Sequence, residues 1–257
     1  MSIAQQLAEV NERIAHAARA ASRPPQEVAL MAVSKTHPPS AILEAVACGQ
    51  LLFGENRVQE WESKREEVLA SPFLKNAQSI QMHLIGHLQS NKAAKAAELF
   101  DAIDSLDSLR LAERLNQSAE RLGKTLTVLV EVNVGGELSK AGLAPTSPEL
   151  FSLFDAAPRL THLRLAGLMT VPPFTPDPAG ARPYFVQLRQ LRDQLRQRTG
   201  LPLPQLSMGM SHDFEIAIQE GSTCVRLGTL IFGARDYSSP TAAPLNVAPP
   251  STPQDKG

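Results

Sequence analysis

Three short stretches carry residue types that could do chemistry together. The first is 28–35, VALMAVSK, an apolar run ending in a single lysine, Lys35. The others are 207–211, SMGMS, and 226–229, RLGT. A lysine amine at the mouth of an apolar sheet is partly desolvated. Desolvation disfavours the ammonium and leaves amine free to attack an aldehyde. The other two stretches offer hydroxyls, glycines and helix starts, whose backbone N–H groups attract anions. Each stretch also has a plain structural alternative. Lys35 can simply end a strand and point into water. Ser211 can be only an N-cap, and Gly228 only a tight turn.

The elements that must position these residues follow from the hydrophobic pattern. Ser2 caps a predicted helix with Ile3, Leu7, Val10 and Ile14 on one face. A buried strand over 28–33 comes next. Strands and helices then alternate. Further strands are predicted at 51–53, 81–85, 102–103, 126–134, 163–170, around Leu206 and at 223–227. Helices are predicted at 40–47, 55–69, 91–99, 108–122, 147–156, 183–198 and 211–219, with a helical turn at 230–232. Repeated βα units with short connections imply a parallel sheet. Eight of them fit an α/β fold made of a single closed (β/α)8 TIM barrel, here with an extra N-terminal helix. An open doubly wound sheet is the alternative. No G-x-G-x-x-G follows the first strand, so a dinucleotide site has no support.

Composition narrows the class. The chain has 257 residues, 43% of them hydrophobic, and a formal net charge of -1. That is room for one large barrel domain, expected over 1–237, and the charge balance favours neither a nucleic-acid partner nor a disordered acidic chain. Residues 238–257 are proline-rich and aromatic-free, and read as a disordered tail. Two cysteines, Cys48 and Cys224, lie far apart in apolar settings, which argues for reduced core thiols rather than a disulfide or zinc site. No signal-peptide core and no run of ~18 apolar residues is present. A soluble, cytoplasmic protein with no membrane partner is expected.

In such a barrel the active site lies at the C-terminal ends of the strands. That rule selects Ser34 and Lys35, the stretch 53–57 (FGENR), His83 and 86–89 (GHLQ), Asn133, Met169 and Thr170, Ser207 to Ser211, and Arg226 to Thr229. Phosphate often binds after strands seven and eight, which are the SMGMS and RLGT loops. Asp213 and Glu215, in the first turn of the helix predicted at 211–219, must point away from any anion there. An amine and an anion pocket across one barrel mouth would hold an aldehyde that carries its own phosphate, pyridoxal 5'-phosphate. Arg226 could then only donate to the pyridine nitrogen, which would stay unprotonated and make the ring a weaker electron sink. The alternative for Arg226 is a surface ion pair. Asn56 either donates to the cofactor's phenolic oxygen or caps the helix predicted at 55–69. His83 reads as a satisfied core histidine, and Met169 as packing.

Longer blocks carry a family resemblance. AVSKTHP, FGENRVQE, HLIGHLQSNK, AGLMTV and LSMGMSHDFEIAIQEGSTCVRLGTLIFGARDY, spread from about residue 29 to 237, resemble the pyridoxal phosphate homeostasis protein family. The resemblance implies a single barrel of pyridoxal phosphate fold-type III, similar to the N-terminal domain of bacterial alanine racemase. It implies that Lys35 is the Schiff-base lysine, that Ser211, Gly228 and Thr229 hold the phosphate, and that Arg226 meets the pyridine nitrogen. Ser207, Met210 and Asn56 carry over as further cofactor contacts. His212 and the tail depart from the pattern without touching the motifs.

The family is understood as handling the cofactor without an established reaction. Its expected partners are pyridoxal phosphate and apo-enzymes that use it, and a monomer is expected. The alternative is a pyridoxal-phosphate-dependent amino-acid racemase. Racemisation needs two bases, one on each face of the substrate carbon, and in alanine racemase the second is a tyrosine from an added β domain. No such domain is expected after Gly233. The tyrosines here are Tyr184, inside a predicted helix, and Tyr237, just past the barrel. A third reading is an unrelated sugar-phosphate barrel enzyme whose Lys35 never meets an aldehyde.

Overall fold

The computed structural model describes residues 1–75, 79–137 and 140–233, apart from the side chains of Phe73 and Lys75. The predicted tail and Tyr237 lie outside the described residues. Helix α1 (Ile3–Ala20) opens the chain. Ser2 caps it through a reciprocal box: the Gln5 N–H donates to Ser2 Oγ, and the Ser2 N–H donates to Gln5 Oε1. Its buried stripe is Leu7, Val10, Ile14, Ala17 and Ala18, packed against the last two helices of the barrel.

Eight strands follow: β1 (Ala29–Val33), β2 (Leu52–Glu55), β3 (Gln81–Leu84), β4 (Ala102–Leu106), β5 (Leu126–Glu131), β6 (Leu163–Met169), β7 (Gln205–Ser207) and β8 (Cys224–Leu227). They close into a barrel in sequence order, every neighbouring pair parallel and β8 joined to β1. Around them lie α2 (Pro39–Ala47), α3 (Val58–Leu69), α4 (Pro72–Lys75), α5 (Ala93–Leu99), α6 (Leu109–Arg121), α7 (Pro148–Asp155), α8 (Arg182–Thr199), α9 (Phe214–Gln219) and α10 (Thr229–Phe232). This is the (β/α)8 barrel that the pattern predicts. Gly200 ends α8 in the left-handed conformation, as its position after the last apolar turn requires.

Alternation along the strands sorts side chains into two layers. Leu30, Ala32, Phe53, Met82, Leu84, Val128, Val130, Leu206, Val225 and Leu227 join one core under the helices. Leu129, Ala166 and Met169 form a separate small cluster inside the barrel. Residues in phase with that inner set, Glu131 on β5 and Arg226 on β8, therefore face the barrel axis.

Four local expectations need correction. The helix predicted at 55–69 begins only at Val58, and Glu55 is the last residue of β2, fully buried. The helix predicted at 211–219 begins at Phe214. Asp213 Oδ1 accepts the Met210 N–H at 2.7 Å, which holds 211–213 in a turn instead. The strand predicted at 102–103 runs on to Leu106 across a register shift against β5, which brings Asp104 into the barrel wall. Cys48 is exposed at the C-cap of α2 rather than buried. Among the described residues, no helix is long and apolar enough to cross a membrane.

Candidate functional site

Lys35 directly follows β1. Ser34 before it is buried on the helix side, its Oγ donating to Glu55 Oε1 at 2.7 Å. Alternation then puts Lys35 on the other face of the wall, in phase with Met31 and Val33, at the C-terminal rim. Lys35 is half-buried there. Thr36, the next residue, has φ +66 and turns the chain sharply away.

The loops after β7 and β8 meet at the rim next to β1. Thr229 Oγ1 donates to Ser211 Oγ at 3.1 Å, so the two hydroxyls lie side by side. Gly228 sits against the end of β1: a Cβ there would come within 3.2 Å of the Val33 carbonyl oxygen. The N–H groups of Met210, Asp213 and Phe214 all serve the turn itself, the first on Asp213 Oδ1 and the others on the Met210 carbonyl. Met210 therefore offers the mouth no N–H, and its side chain is at the surface.

Below these loops the Arg226 guanidinium lies inside the barrel, 4% exposed. Nη1 donates to Ser207 Oγ and Nη2 to the Thr170 carbonyl, both at 2.8 Å. Ser207 is fully buried, and its Oγ accepts this bond. The surface ion pair considered for Arg226 is not what the fold makes of it. Burial pulls its pKa below the usual value, opposed by the charges of Asp104, Glu131 and Asp213 among others.

The facing wall, β3 to β5, is acidic and imidazole-rich. His83 Nδ1 lies 3.0 Å from Asp104 Oδ1, and His87 Nδ1 lies 2.9 Å from Asp107 Oδ2. Burial opposes the charged form of His83, but Asp104 and Asp101 outweigh it and raise its pKa. Glu131 on β5 is 8% exposed, and its Oε2 has no hydrogen-bond partner. Desolvation and Asp107 push its carboxyl up to about 7, against the pull of Arg226 and His87. Asp104, Asp107 and Glu131 were not selected from sequence. The available signal was an acidic residue in phase with inward positions of an apolar strand, as in TVLVEV.

The remaining candidates separate. Asn56 is half-buried beside the β3 loop. Gly86 is required there, because a Cβ on it would lie 2.3 Å from the Asn56 carbonyl oxygen. Asn56 does not cap α3: that position is Arg57, which makes no side-chain cap bond. Asn133 Nδ2 is turned onto the Glu137 carbonyl at 2.9 Å and braces its own loop. Met169 packs with Leu129 and Ala166, as its apolar setting suggests. Tyr184 packs from α8 against the outer core.

The family model of the alanine racemase N-terminal domain matches residues 6–236. The pyridoxal phosphate homeostasis protein of Aquifex aeolicus (strain VF5) is 44% identical over 237 residues, 92% of this chain and 100% of that one. The chain belongs to the pyridoxal phosphate homeostasis protein family. The family member from Escherichia coli (strain K12) is 43% identical over 92% of this chain and 98% of its own. Among solved structures, PipY of Synechococcus elongatus PCC7942, determined with PLP bound, superposes with a TM-score of 0.74 at 39% identity, covering 90% of this chain and all (100%) of that one. The crystal structure of an unknown protein from Bifidobacterium adolescentis gives a TM-score of 0.82 at 38% identity, covering 90% of this chain and 94% of that one. The homeostasis family barrel is shared more distantly with D-threonine aldolase of Filomicrobium marinum, at 19% identity and a TM-score of 0.66, a likeness of fold alone that covers 86% of this chain and 59% of that one.

Proposed function

We propose that this chain binds pyridoxal 5'-phosphate at the C-terminal mouth of the barrel and serves in its intracellular homeostasis, with no established reaction of its own. Family membership and the PLP-bound relative support the reading. The observation that carries it is the contact between Ser211 and Thr229, which joins the two anion-seeking loops beside the strand that leads into Lys35.

The residues present fit the group. Two adjacent hydroxyls and the close-packed Gly228 form a cradle for a phosphate, and the always-protonated Arg226 offers only donors to a ring nitrogen. When bound, the cofactor supplies an aldehyde that condenses reversibly with a primary amine. Lys35 is that amine, and Ser211, Gly228 and Thr229 fix the phosphate end. Arg226 keeps the pyridine nitrogen unprotonated, so the ring is held without being made a strong electron sink. Ser207 sets Arg226 through its Oγ and lines the pocket as a further cofactor contact. Asn56 donates to the phenolic oxygen, and Met210 borders the pocket at the surface. Release to apo-enzymes from a cytoplasmic monomer completes the homeostasis reading.

A test is transfer. Protein carrying the cofactor, mixed with an apo-enzyme, should restore that enzyme's activity while releasing no altered cofactor. Failure to carry or transfer pyridoxal phosphate would sink the carrier role. The sugar-phosphate reading survives only if Lys35→Ala leaves an unchanged visible spectrum.

One observation favours the racemase alternative. β5 stands diametrically across the barrel from β1, and Glu131 at its end is a buried carboxyl titrating near neutrality. That is the chemistry a second base requires. Exchange of the α-proton of D- or L-amino acids in heavy water, lost in Glu131→Gln, would support it. No exchange in the wild type would remove it.

A further inference from the structure

Both chain neighbours of Lys35 are tied to one buried ion cluster on the outer side of the barrel wall. Ser34 donates its hydroxyl to Glu55 Oε1 at 2.7 Å, and its carbonyl oxygen accepts Lys64 Nζ at 3.1 Å. Lys64 Nζ also reaches Glu55 Oε1 at 3.0 Å and Glu60 Oε1 at 2.6 Å. Glu60 Oε1 in turn accepts the backbone N–H of Thr36. A single ammonium on α3 thus links the residue before Lys35 to the residue after it.

This arrangement is a poor way to gain stability. Lys64 is 8% exposed and Glu55 0%, and taking such a pair out of water offsets most of its attraction. Glu55 Oε2 has no hydrogen-bond partner, and burial raises the Glu55 carboxyl despite Lys64 beside it. Thr36 is held at φ +66, a left-handed conformation that a β-branched residue disfavours. Buried charge, an unsatisfied oxygen and a strained turn meet at one point. Such features persist where the surroundings over-determine a geometry that the site uses.

We propose that Glu60 and Lys64 are positioning residues for Lys35, clamping the turn after β1 from both sides so that the amine stays at the barrel mouth. The inference rests on the reading that Lys35 carries the cofactor. Glu60 holds the Thr36 N–H, and Lys64 ties Glu60 to Glu55 and to the Ser34 carbonyl. Neither side chain needs to touch the ligand. A purely structural tie between β1, β2 and α3 would weaken every ligand together when broken. A positioning clamp predicts a split between covalent capture and simple binding.

The experiment compares full-length wild type, Glu60→Ala, Glu60→Gln and Lys64→Met. Two probes are used: pyridoxal 5'-phosphate and pyridoxine 5'-phosphate, whose alcohol replaces the aldehyde. Glu60 is more exposed than Glu55 or Lys64, and its replacement leaves the buried Glu55–Lys64 pair intact, so Glu60→Ala is the variant expected to fold. It should bind pyridoxine 5'-phosphate as the wild type does, yet form the borohydride-reducible link to residue 35 about tenfold more slowly, the scale of a small misplacement of a reacting group. Glu60→Gln keeps an oxygen for the Thr36 N–H and should recover most of that rate. Lys64→Met should behave like Glu60→Ala. Wild-type protein that forms the link beside a Glu60→Ala variant with an unchanged rate overturns the inference alone. So does an equal loss of affinity for both probes. A wild type that forms no link at residue 35 overturns the cofactor reading and this inference with it.

Discussion

Arg226 Nη1 lies 2.8 Å from Ser207 Oγ, and both groups are buried inside the barrel. The serine hydroxyl sets the plane of the guanidinium together with the Thr170 carbonyl on Nη2. Ser207→Ala leaves one buried, charged N–H without its acceptor. The expected cost is about 1–3 kcal/mol of stability, read from urea unfolding at neutral pH. If Arg226 meets the ring nitrogen as proposed, bound cofactor should also shift its visible absorption, because that donor loses its fixed direction. An unchanged spectrum would separate Arg226 from the ring.

Glu131 makes stability depend on pH. Its carboxyl is pushed up to about 7 from an ordinary 4.5, so the folded chain holds a proton that the unfolded chain has released across that interval. Stability therefore falls as pH rises from about 4.5 and levels off above about 7, by about 3 kcal/mol in total from this group. Glu131→Gln should remove that slope and be more stable than wild type at pH 8. Parallel pH curves for the two proteins would refute the assignment.

The hydroxyl pair at the rim should act on the phosphate alone. Replacing both Ser211 and Thr229 by alanine removes two hydrogen bonds to a charged group, roughly 1.5–3 kcal/mol each. Affinity for pyridoxal 5'-phosphate should drop by at least about a hundredfold. Capture of pyridoxal, which lacks the phosphate, should be unchanged. Equal losses for both ligands would place the phosphate elsewhere.

Gly86 gives a test of the β2–β3 side. A methyl at this position would meet the Asn56 carbonyl oxygen at 2.3 Å, so Gly86→Ala must move the Asn56 backbone. Overpacking of this kind costs about 1–3 kcal/mol, measurable as a lower melting temperature. If Asn56 meets the phenolic oxygen, the cofactor's affinity falls with it. A variant with wild-type melting would show that this approach is looser than the backbone geometry indicates.

The barrel was legible because each strand is a short apolar run followed by a helical period, from ALMAV to CVRL. Reading position from sequence worked where it is local: Lys35 closely follows β1, and Gly228 and Thr229 follow β8. It failed where distant charge decides the outcome. Glu55 reads as the start of a helix because an isolated carboxylate does not belong in a strand. Only Lys64, nine residues on and folded back against it, makes that position tolerable. Asp213 reads as a first-turn helix residue, but its carboxylate takes the Met210 N–H and delays the helix to Phe214. Asp104 and Glu131 escaped notice because their role depends on what the closed barrel brings opposite them.

The central claim is that the Lys35 amine and the Ser211–Thr229 hydroxyl pair grip the two ends of one cofactor molecule. The most direct test is borohydride reduction of the purified protein with pyridoxal 5'-phosphate, followed by peptide mapping. A single reduced adduct on Lys35, with loss of the visible absorption band and no adduct in Lys35→Ala, is the predicted result. An adduct that persists at full yield in Lys35→Ala, or one mapped to another lysine in the wild type, would contradict it.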